Sequence, residues 1–238
     1  MDIKAYQAHI AQPWGQIYYQ ILFDQLKEVK GKTVLDFGSG FGHVAQFLAR
    51  ENQVLAIEPN EEMIDSRVVD PLYPYQQEQG GFEALEQLAP ASFDVIICHN
   101  VLEYVDNPSQ YLHAFHRLVK DDGHLSLVKH HEVGRIMQTA VFECNIPKTM
   151  GFLAGEHYQS HTMGLAKAYK IEEVLPKDTF VLEDYQGIRT FYGLQPNSVK
   201  TDPHWLKEMT ELELAVSSQS PYRDIAAFQH LWLRKKER

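Results

Sequence analysis

The chain has 238 residues, 44% of them hydrophobic, which is enough to bury the core of one large domain, with or without a substrate-binding insertion. Its formal net charge of −10 excludes a global positive field that would draw it onto nucleic acid or an anionic membrane, leaving only a local basic groove open. Two cysteines, Cys98 and Cys144, make no disulfide framework, and no stretch nears the roughly 20 apolar residues of a bilayer span; with Asp2 at the start and no leader, a cytoplasmic protein without membrane partners is expected.

Pro13 opens the first expected helix. Trp14, Ile17, Ile21, Leu22, Leu26 and Val29 recur every three or four residues, and Gly31 closes it. Thr33 to Phe37 reads as a short buried strand running into glycines 38, 40 and 42, with a helix from His43 to Arg50 behind them. Strand two covers Val54 to Ile57 and ends at Glu58, and Pro59-Asn60 leads into a helix from Glu61 to Arg67. Residues 70–81 are rich in Pro and Tyr, with a third strand expected near Tyr75 and a short helix from Phe82 to Leu88. Phe93 to Cys98 is apolar enough for a fully buried strand. Asn107-Pro108-Ser109 starts a helix that carries Leu112, Phe115, Leu118 and Val119 inward and stops at Asp121-Asp122-Gly123, and strand five runs from His124 to Lys129.

Between 131 and 167, Gly, Met, His and Phe mix without periodicity, which predicts a substrate-facing insertion of two short helices with mobile loops. A helix from Leu165 to Leu175, a strand from Val181 to Tyr192, a helix from Pro203 to Ser217 and a strand from Ala226 to Arg234 complete the chain. Strands alternating with helices, then a final strand pair, predict an α/β fold. It would be a single domain over 1–238 whose mostly parallel sheet has helices on both faces and one antiparallel member near the edge.

The first strand, its glycine loop and the following helix form the opening unit of a Rossmann-like sheet, where a nucleotide-like ligand lies at the strand's carboxyl end. Glycine spacing narrows the ligand. A dinucleotide turn reads G-x-G-x-x-G, whereas Gly38, Gly40 and Gly42 give G-x-G-x-G with Asp36 two places ahead. A pyrophosphate prefers amides and a helix N-terminus with no carboxylate close by, while a sulfonium with a free amino group accepts an anion there. Glu58 follows Asp36 by 22 residues, at the end of the second strand, where an acidic side chain accepts hydrogen bonds from ribose hydroxyls. A glycine triplet alone also marks a tight turn, and Asp36-Phe37-Gly38 also spells a kinase triplet, but no kinase loop accompanies it.

The stretch from Asp36 to Gly42 resembles motif I of the class I S-adenosylmethionine (SAM) methyltransferases. That resemblance implies their seven-stranded Rossmann-like sheet, SAM as cofactor and S-adenosylhomocysteine as product. It places Gly38, Ser39 and Gly40 near the methionine moiety, Glu58 on the ribose, and the loop from Gln77 to Phe82, with Gln79, Gly80, Gly81 and Phe82, along the adenine. An Asp that many relatives carry in that loop is absent, so backbone groups or Glu78 would substitute. His99 leaves strand four over the methionine side, where it would bond the cofactor or face the acceptor; a His there is also a common start to a helix.

Longer segments resemble the tRNA 5-carboxymethoxyuridine methyltransferase family at low identity over most of the chain. They are His99 to Pro108, Leu125-Ser126-Leu127, Gly187-Ile188-Arg189-Thr190-Phe191, and Leu212 to Tyr222. That family esterifies a wobble-uridine carboxylate, so the resemblance implies O-methylation of a carboxylate gripped by Arg189. Its N-terminal helix carries Gly-Gln-Leu-Arg, whose arginine meets the cofactor carboxylate, but this chain reads Gly15-Gln16-Ile17-Tyr18. Tyr18 offers one neutral hydrogen bond in place of an ionic pair, so Lys4 or Lys129 would supply the charge, or the helix sits differently.

A carboxylate acceptor is anionic at neutral pH and needs no base, and a bidentate arginine would hold it. A hydroxyl or amine needs a base, for which His99, His130 and His131 are candidates by type. Arg189 reads equally as an ordinary strand-surface residue. Two rival functions stay open: a small-metabolite methyltransferase, which the acidic balance favours, and a non-catalytic SAM-binding partner protein. A surface patch of Lys148, Lys167, Lys170, Arg189 and Lys200 would favour a tRNA acceptor. The pairs His113/His116, His130/His131 and His157/His161 have spacings a metal could use, but no Cys, Asp or Glu set completes a shell, so no metal is expected. Trp14, Trp205 and Tyr222 are expected in the core or a pocket wall, and nothing in the sequence sets an oligomeric state.

Overall fold

The computed structural model describes residues 3–156, 158–160, 164–167 and 169–236. In chain order the elements are α1 (Ile3–Ile10), α2 (Pro13–Leu26), β1 (Thr33–Phe37), α3 (His43–Leu48), β2 (Gln53–Glu58), α4 (Glu61–Asp65), β3 (Gln76–Gln79), α5 (Phe82–Gln87), β4 (Phe93–His99), α6 (Pro108–Leu118), β5 (Val119–His130), α7 (Glu132–Val141), α8 (Ile146–Leu153), β6 (Tyr158–Ser160), β7 (Gly164–Ala166), α9 (Ile171–Val174), β8 (Phe180–Ile188), α10 (Pro203–Val216) and β9 (Phe228–Lys235). Single 3-10 turns cover Leu102–Tyr104, Tyr192–Leu194 and Arg223–Ile225. A seven-stranded sheet runs in the order β3-β2-β1-β4-β5-β9-β8, and β6 and β7 form a separate two-stranded ladder. This is the α/β sheet expected from the alternation of strands and helices. No helix among the described residues is long and apolar enough to cross a membrane.

The chain divides into two compact units. One comprises Leu26–Val128, Tyr169–Asp184 and Leu231–Arg238; the other comprises Met1–Gln25, Lys129–Ala168 and Tyr185–His230. In the former, β1 pairs in parallel with β2 and β4, β2 with β3, and β4 with β5. Continuous apolar runs are what such doubly covered parallel strands need, and Val34, Leu35, Ile96, Ile97 and Cys98 are buried. The register sets Asp36 beside Ala56 and Ile97, and Phe37 beside Cys98. Helix α6 begins where Asn107 accepts from the Gln110 amide with Pro108 at the first turn, and it buries Leu112, Phe115 and Leu118. Full burial of each such side chain is worth about 1.5–3 kcal/mol.

Strand β5 starts at Val119, before the expected His124. Val119 pairs with Phe93 and His124 with Val95, so an irregular register absorbs the Asp121-Asp122-Gly123 signal inside the strand. Lys120 fastens this point by donating to the Asp94 carboxylate (2.9 Å) and Thr33 Oγ1 (3.3 Å).

In the other unit, Ile17, Ile21 and Leu22 of α2 are buried as their spacing requires. The helix ends at Leu26, short of Gly31, because the Val29 amide turns back to the Leu26 carbonyl. Helix α1 was not anticipated: only Ile3 and Ile10 are buried along it, too sparse a pattern to read. Segment 131–167 holds α7, α8 and the β6–β7 ladder, and His157 and His161 lie outside the described residues. The helix expected from Leu165 to Leu175 is replaced by β7 and the single turn α9, with residue 168 outside the described set.

The strand expected to reach Tyr192 stops at Ile188. Arg189 has φ 64°, a left-handed conformation that breaks the extended chain. Gly187, two residues earlier, lies so close to the 223–226 turn that a Cβ there would sit 2.7 Å from Ala226 Cβ.

Candidate active site

The glycine loop after β1 is self-contained. The amides of Gly38 and Ser39 donate to the Ile57 carbonyl (2.8 and 3.1 Å), that of Gly40 to Glu58 Oε2 (2.8 Å), and that of Gly42 to the Ser39 carbonyl (2.9 Å). These donors, expected to face the cofactor, are therefore turned inward. What the loop presents instead is bare glycine surface beside carboxylates. A Cβ on Gly40 would meet nothing nearer than Met63 Sδ at 3.9 Å, so the space above it is open to a ligand.

Glu58 closes β2 at the same place. Its two oxygens accept from Gly40 and Asn60 (2.8 and 3.0 Å), which fixes the carboxylate while each oxygen keeps a lone pair. Burial pushes its pKa up, and the two amides act against that shift. Asp36 is 3% exposed, and its Oδ2 has no hydrogen-bond partner among the described residues. It is pushed up to about 7, chiefly by burial and further by Glu58, against the effect of the Ala45 amide.

Gln77, the first residue of the expected adenine loop, meets the glycine loop: its Nε2 donates to Ser39 Oγ (3.3 Å) and its buried Oε1 has no partner among the described residues. Gln79 donates to the Pro59 carbonyl, the Gly80 amide to the Glu58 carbonyl, and the Gly81 amide to Glu83. Glu78, the other substitute weighed for the adenine loop, accepts from Gln76. Phe82 stands edge-on to Tyr111 at 4.9 Å. His99 ends β4, with its Nε2 2.8 Å from Ser126 Oγ. Gly38 shares its turn with Val101: a Cβ there would lie 2.4 Å from Val101 Cγ2 at φ 72°. Gly38→Ala should lower stability by about 1–3 kcal/mol, read as a lower urea midpoint.

Tyr18 belongs to the other unit. Its buried ring packs on Tyr19 (5.2 Å) and Phe228 (5.1 Å). Lys129, also there, is buried and donates to the His130 carbonyl, and Lys4 is exposed.

Arg189 forms the second centre. Its guanidinium lies 5.5 Å from the Trp14 ring, 5.0 Å from Tyr192 and 5.7 Å from Phe228, a cage of three aromatic rings. Its buried Nε has no hydrogen-bond partner among the described residues. Glu213 acts on it electrostatically, but that carboxylate is spent on three amides: Thr190 (2.6 Å), Phe191 (2.8 Å) and Tyr192 (2.8 Å). Those bonds also hold the left-handed turn at Arg189. Burial, set against attraction from Tyr192 and Glu213, lowers the guanidinium to about 10, so it stays charged at neutral pH.

The residues whose surface patch would favour a tRNA acceptor have these surroundings. Lys200 is only 9% exposed, Arg189 is half-buried in its cage, Lys148 is paired with Glu143 (2.7 Å), and Lys170 lies 3.8 Å from Glu173. Of the base candidates in this unit, His131 directs Nδ1 at the Ala226 carbonyl (3.1 Å) and is lowered to about 4 by burial and Lys129. His130 packs on Phe228, with ring centroids 4.7 Å apart.

An α/β sheet with an acid-lined glycine loop at the carboxyl end of β1 defines a domain of the class I SAM-dependent methyltransferase type. Residues 35–127, all within one unit, match the model of the family described as a methyltransferase domain. A ubiquinone biosynthesis O-methyltransferase from Azotobacter vinelandii is 36% identical over 97 residues, which cover 39% of this chain and 42% of that protein. The chain thus matches less than half the length of this curated relative. A SAM-dependent methyltransferase from Thermotoga maritima has the same fold at TM-score 0.63 and 17% identity, covering 98% of this chain and 96% of its own. One from Mesorhizobium loti gives TM-score 0.54 at 15% identity, over 87% and 92% of the two chains.

The residues present suit SAM. Asp36, Glu58 and Gln77 are buried or half-buried acceptors next to an open glycine surface, and this is a better match to hydroxyl and ammonium donors and to a sulfonium than to a pyrophosphate. The Asp36 pKa makes a test. Its folded value lies above the ordinary 3.8, so between 3.8 and about 7 the folded protein holds more protons than the unfolded chain. Stability from this group therefore falls as pH rises through that window and levels off above it. A bound cation would favour the ionised form, so SAM should bind more tightly at about pH 7.5 than at roughly pH 5.5, releasing a proton. Calorimetry in buffers of different ionisation heat checks this, and Asp36→Asn should flatten the dependence.

Proposed function

We propose that the protein is a SAM-dependent O-methyltransferase whose acceptor is a carboxylate, with carboxymethoxyuridine at the tRNA wobble position as substrate. The observation that carries this reading is the caged Arg189, whose buried Nε lacks a partner while the nearby carboxylate of Glu213 is committed to backbone amides. A planar fork of this kind binds a carboxylate through two parallel hydrogen bonds and leaves an oxygen lone pair for attack.

When bound, SAM supplies a methyl group on a sulfonium. Glu58 would accept from the ribose hydroxyls, Asp36 would hold negative charge near the sulfonium and amino group, and His99 would position the cofactor or the acceptor. Arg189 orients the acceptor oxygen, and the aromatic rings around it exclude water and strengthen that interaction. No general base is required, since the acceptor is already ionised. His131, at about 4, is neutral at physiological pH and a weak base, which disfavours a hydroxyl acceptor.

Mass spectrometry of wobble-uridine nucleosides from wild-type and deletion cells tests the assignment. The methyl ester should vanish and the free acid accumulate; unchanged nucleosides would reject the tRNA acceptor. A small anionic metabolite is the second reading. It is favoured by the net charge of −10, by the burial or pairing of the basic residues, and by relatives named as O-methyltransferases of ubiquinone biosynthesis. Assaying the free nucleoside against tRNA separates the two. Binding of SAM with no transfer to any acidic acceptor would favour the non-catalytic alternative.

A further inference from the structure

The aromatic cage around Arg189 shelters a second cation. Lys200 is buried, with Nζ 4.9 Å from the same Tyr192 ring and 4.4 Å from Phe142. Its hydrogen bond is to a neutral group, Asn197 Oδ1 at 3.1 Å. Among the described residues, neither Lys200 nor Arg189 forms a salt bridge, although exposed lysines on the same unit do, as Lys148 and Lys207 show. Glu213, the acid that acts on Arg189, is 2% exposed and held by three amides.

Two cations on one aromatic ring, Lys200 buried and Arg189 half-buried, repel each other and have lost hydration, and the ring faces return only part of that loss. Such an arrangement is stable chiefly when an anion completes it. Glu213, held by backbone amides, sets one negative charge against these two cations, which leaves a positive charge that an anionic ligand would balance.

We propose that Lys200 is a second, specificity-determining cation of the acceptor subsite, contacting the same carboxylate that Arg189 grips. This rests on the reading of Arg189 as a carboxylate clamp and adds its charge partner. The two cations do different work. Arg189 fixes the plane of the carboxylate by its fork, while the Lys200 ammonium is a point charge on a flexible stem that adjusts to one oxygen. Burial and the neighbouring Arg189 lower Lys200 to about 8, and an anion placed between them would raise it again and hold the ammonium fully charged.

The experiment uses the full-length protein with acetate as the probe and methyl acetate as the neutral control. Binding is followed by the NMR signal of the acetate methyl group in every variant and, where Arg189 is kept, by that of its Nε–H. Acetate should bind and methyl acetate should not. Lys200→Met should weaken acetate at least about tenfold, Lys200→Arg should restore it to within about threefold, and the SAM affinity of both should match wild type. Lys200→Gln keeps a donor toward Asn197, so it serves as the check if the Met variant unfolds, and it should be as weak as the Met variant. Wild-type affinity in both neutral variants would overturn the role of Lys200 and leave the Arg189 clamp standing. If acetate leaves the Arg189 signal unmoved, or binds Arg189→Gly as well as wild type, the clamp reading fails, and the proposal fails with it.

Discussion

Replacing Arg189 with alanine is expected to lower kcat/KM for an acidic acceptor by at least about 100-fold while leaving SAM affinity within about twofold. Truncating one partner of a buried, hydrogen-bonded charge pair typically costs about 2–5 kcal/mol, which is roughly 30-fold to several thousand-fold. The effect should fall on the acceptor alone, because the contacts that hold Glu58 and the glycine loop do not involve Arg189. Arg189→Lys should recover little, since an ammonium cannot reproduce the two-pronged contact. Arg189→Gly is the better control for folding: glycine adopts the φ of 64° without strain, so a well-folded but inactive glycine variant assigns the loss to the guanidinium. Turnover of a carboxymethoxyuridine-bearing anticodon stem-loop, read by mass spectrometry, measures the effect. Full-rate turnover in the alanine variant would remove the clamp from the mechanism.

Glu58→Ala should weaken SAM by about 100-fold. The side chain has two tasks: it would accept from the ribose, and it already holds the Gly40 and Asn60 amides, which tie the glycine loop to the start of α4. Each hydrogen bond to a charged group is worth about 1.5–3 kcal/mol, so losing the carboxylate both removes the ligand contact and loosens the loop. Glu58→Gln keeps one acceptor oxygen, and an intermediate loss is expected. Calorimetry with SAM and with S-adenosylhomocysteine should show similar losses, because the ribose is common to both. Unchanged affinity for either would contradict the placement of the ribose at Glu58.

The cofactor half was legible because its signals are local. A buried strand, a glycine turn, a helix and an acid at the end of the next strand follow one another within 26 residues, from Thr33 to Glu58, and the structure brings Gly40 and Glu58 into direct contact. What the sequence concealed there was the direction of the amides. Gly38 and Ser39 point at the Ile57 carbonyl, a choice made by the neighbouring strand and not by glycine spacing. Gln77 falls in the expected adenine loop, but its side-chain contact with Ser39 was not foreseen, because a glutamine in a polar strand carries no pattern that separates a buried amide from a solvated one.

Of the aromatic cage and its cation, the sequence singled out only Arg189 as a candidate. Its cage draws Trp14 from α2, Tyr192 from a 3-10 turn and Phe228 from β9, residues more than 200 positions apart at the extremes. One clue was available. Glu213 sits between Leu212 and Leu214 on a helix, and an acid flanked by apolar residues commonly signals a buried carboxylate that needs donors. The overlong prediction for β8 has the same origin. Nothing near Ile188 announces a left-handed residue, because the group that captures the next three amides lies more than 20 residues downstream.

The domain match from 35 to 127 and the cage around Arg189 share no residue, and the cage is stitched from three separate stretches of chain. A polypeptide trimmed to the recognisable segment would therefore keep the glycine loop and its acids and lose the proposed acceptor clamp altogether. Removing the first 25 residues alone would strip away Trp14 and Tyr18, leaving a protein that any homology-based survey would still score as intact. Engineers seeking to retarget this scaffold would have to redesign noncontiguous pieces together; swapping a single cassette would not suffice.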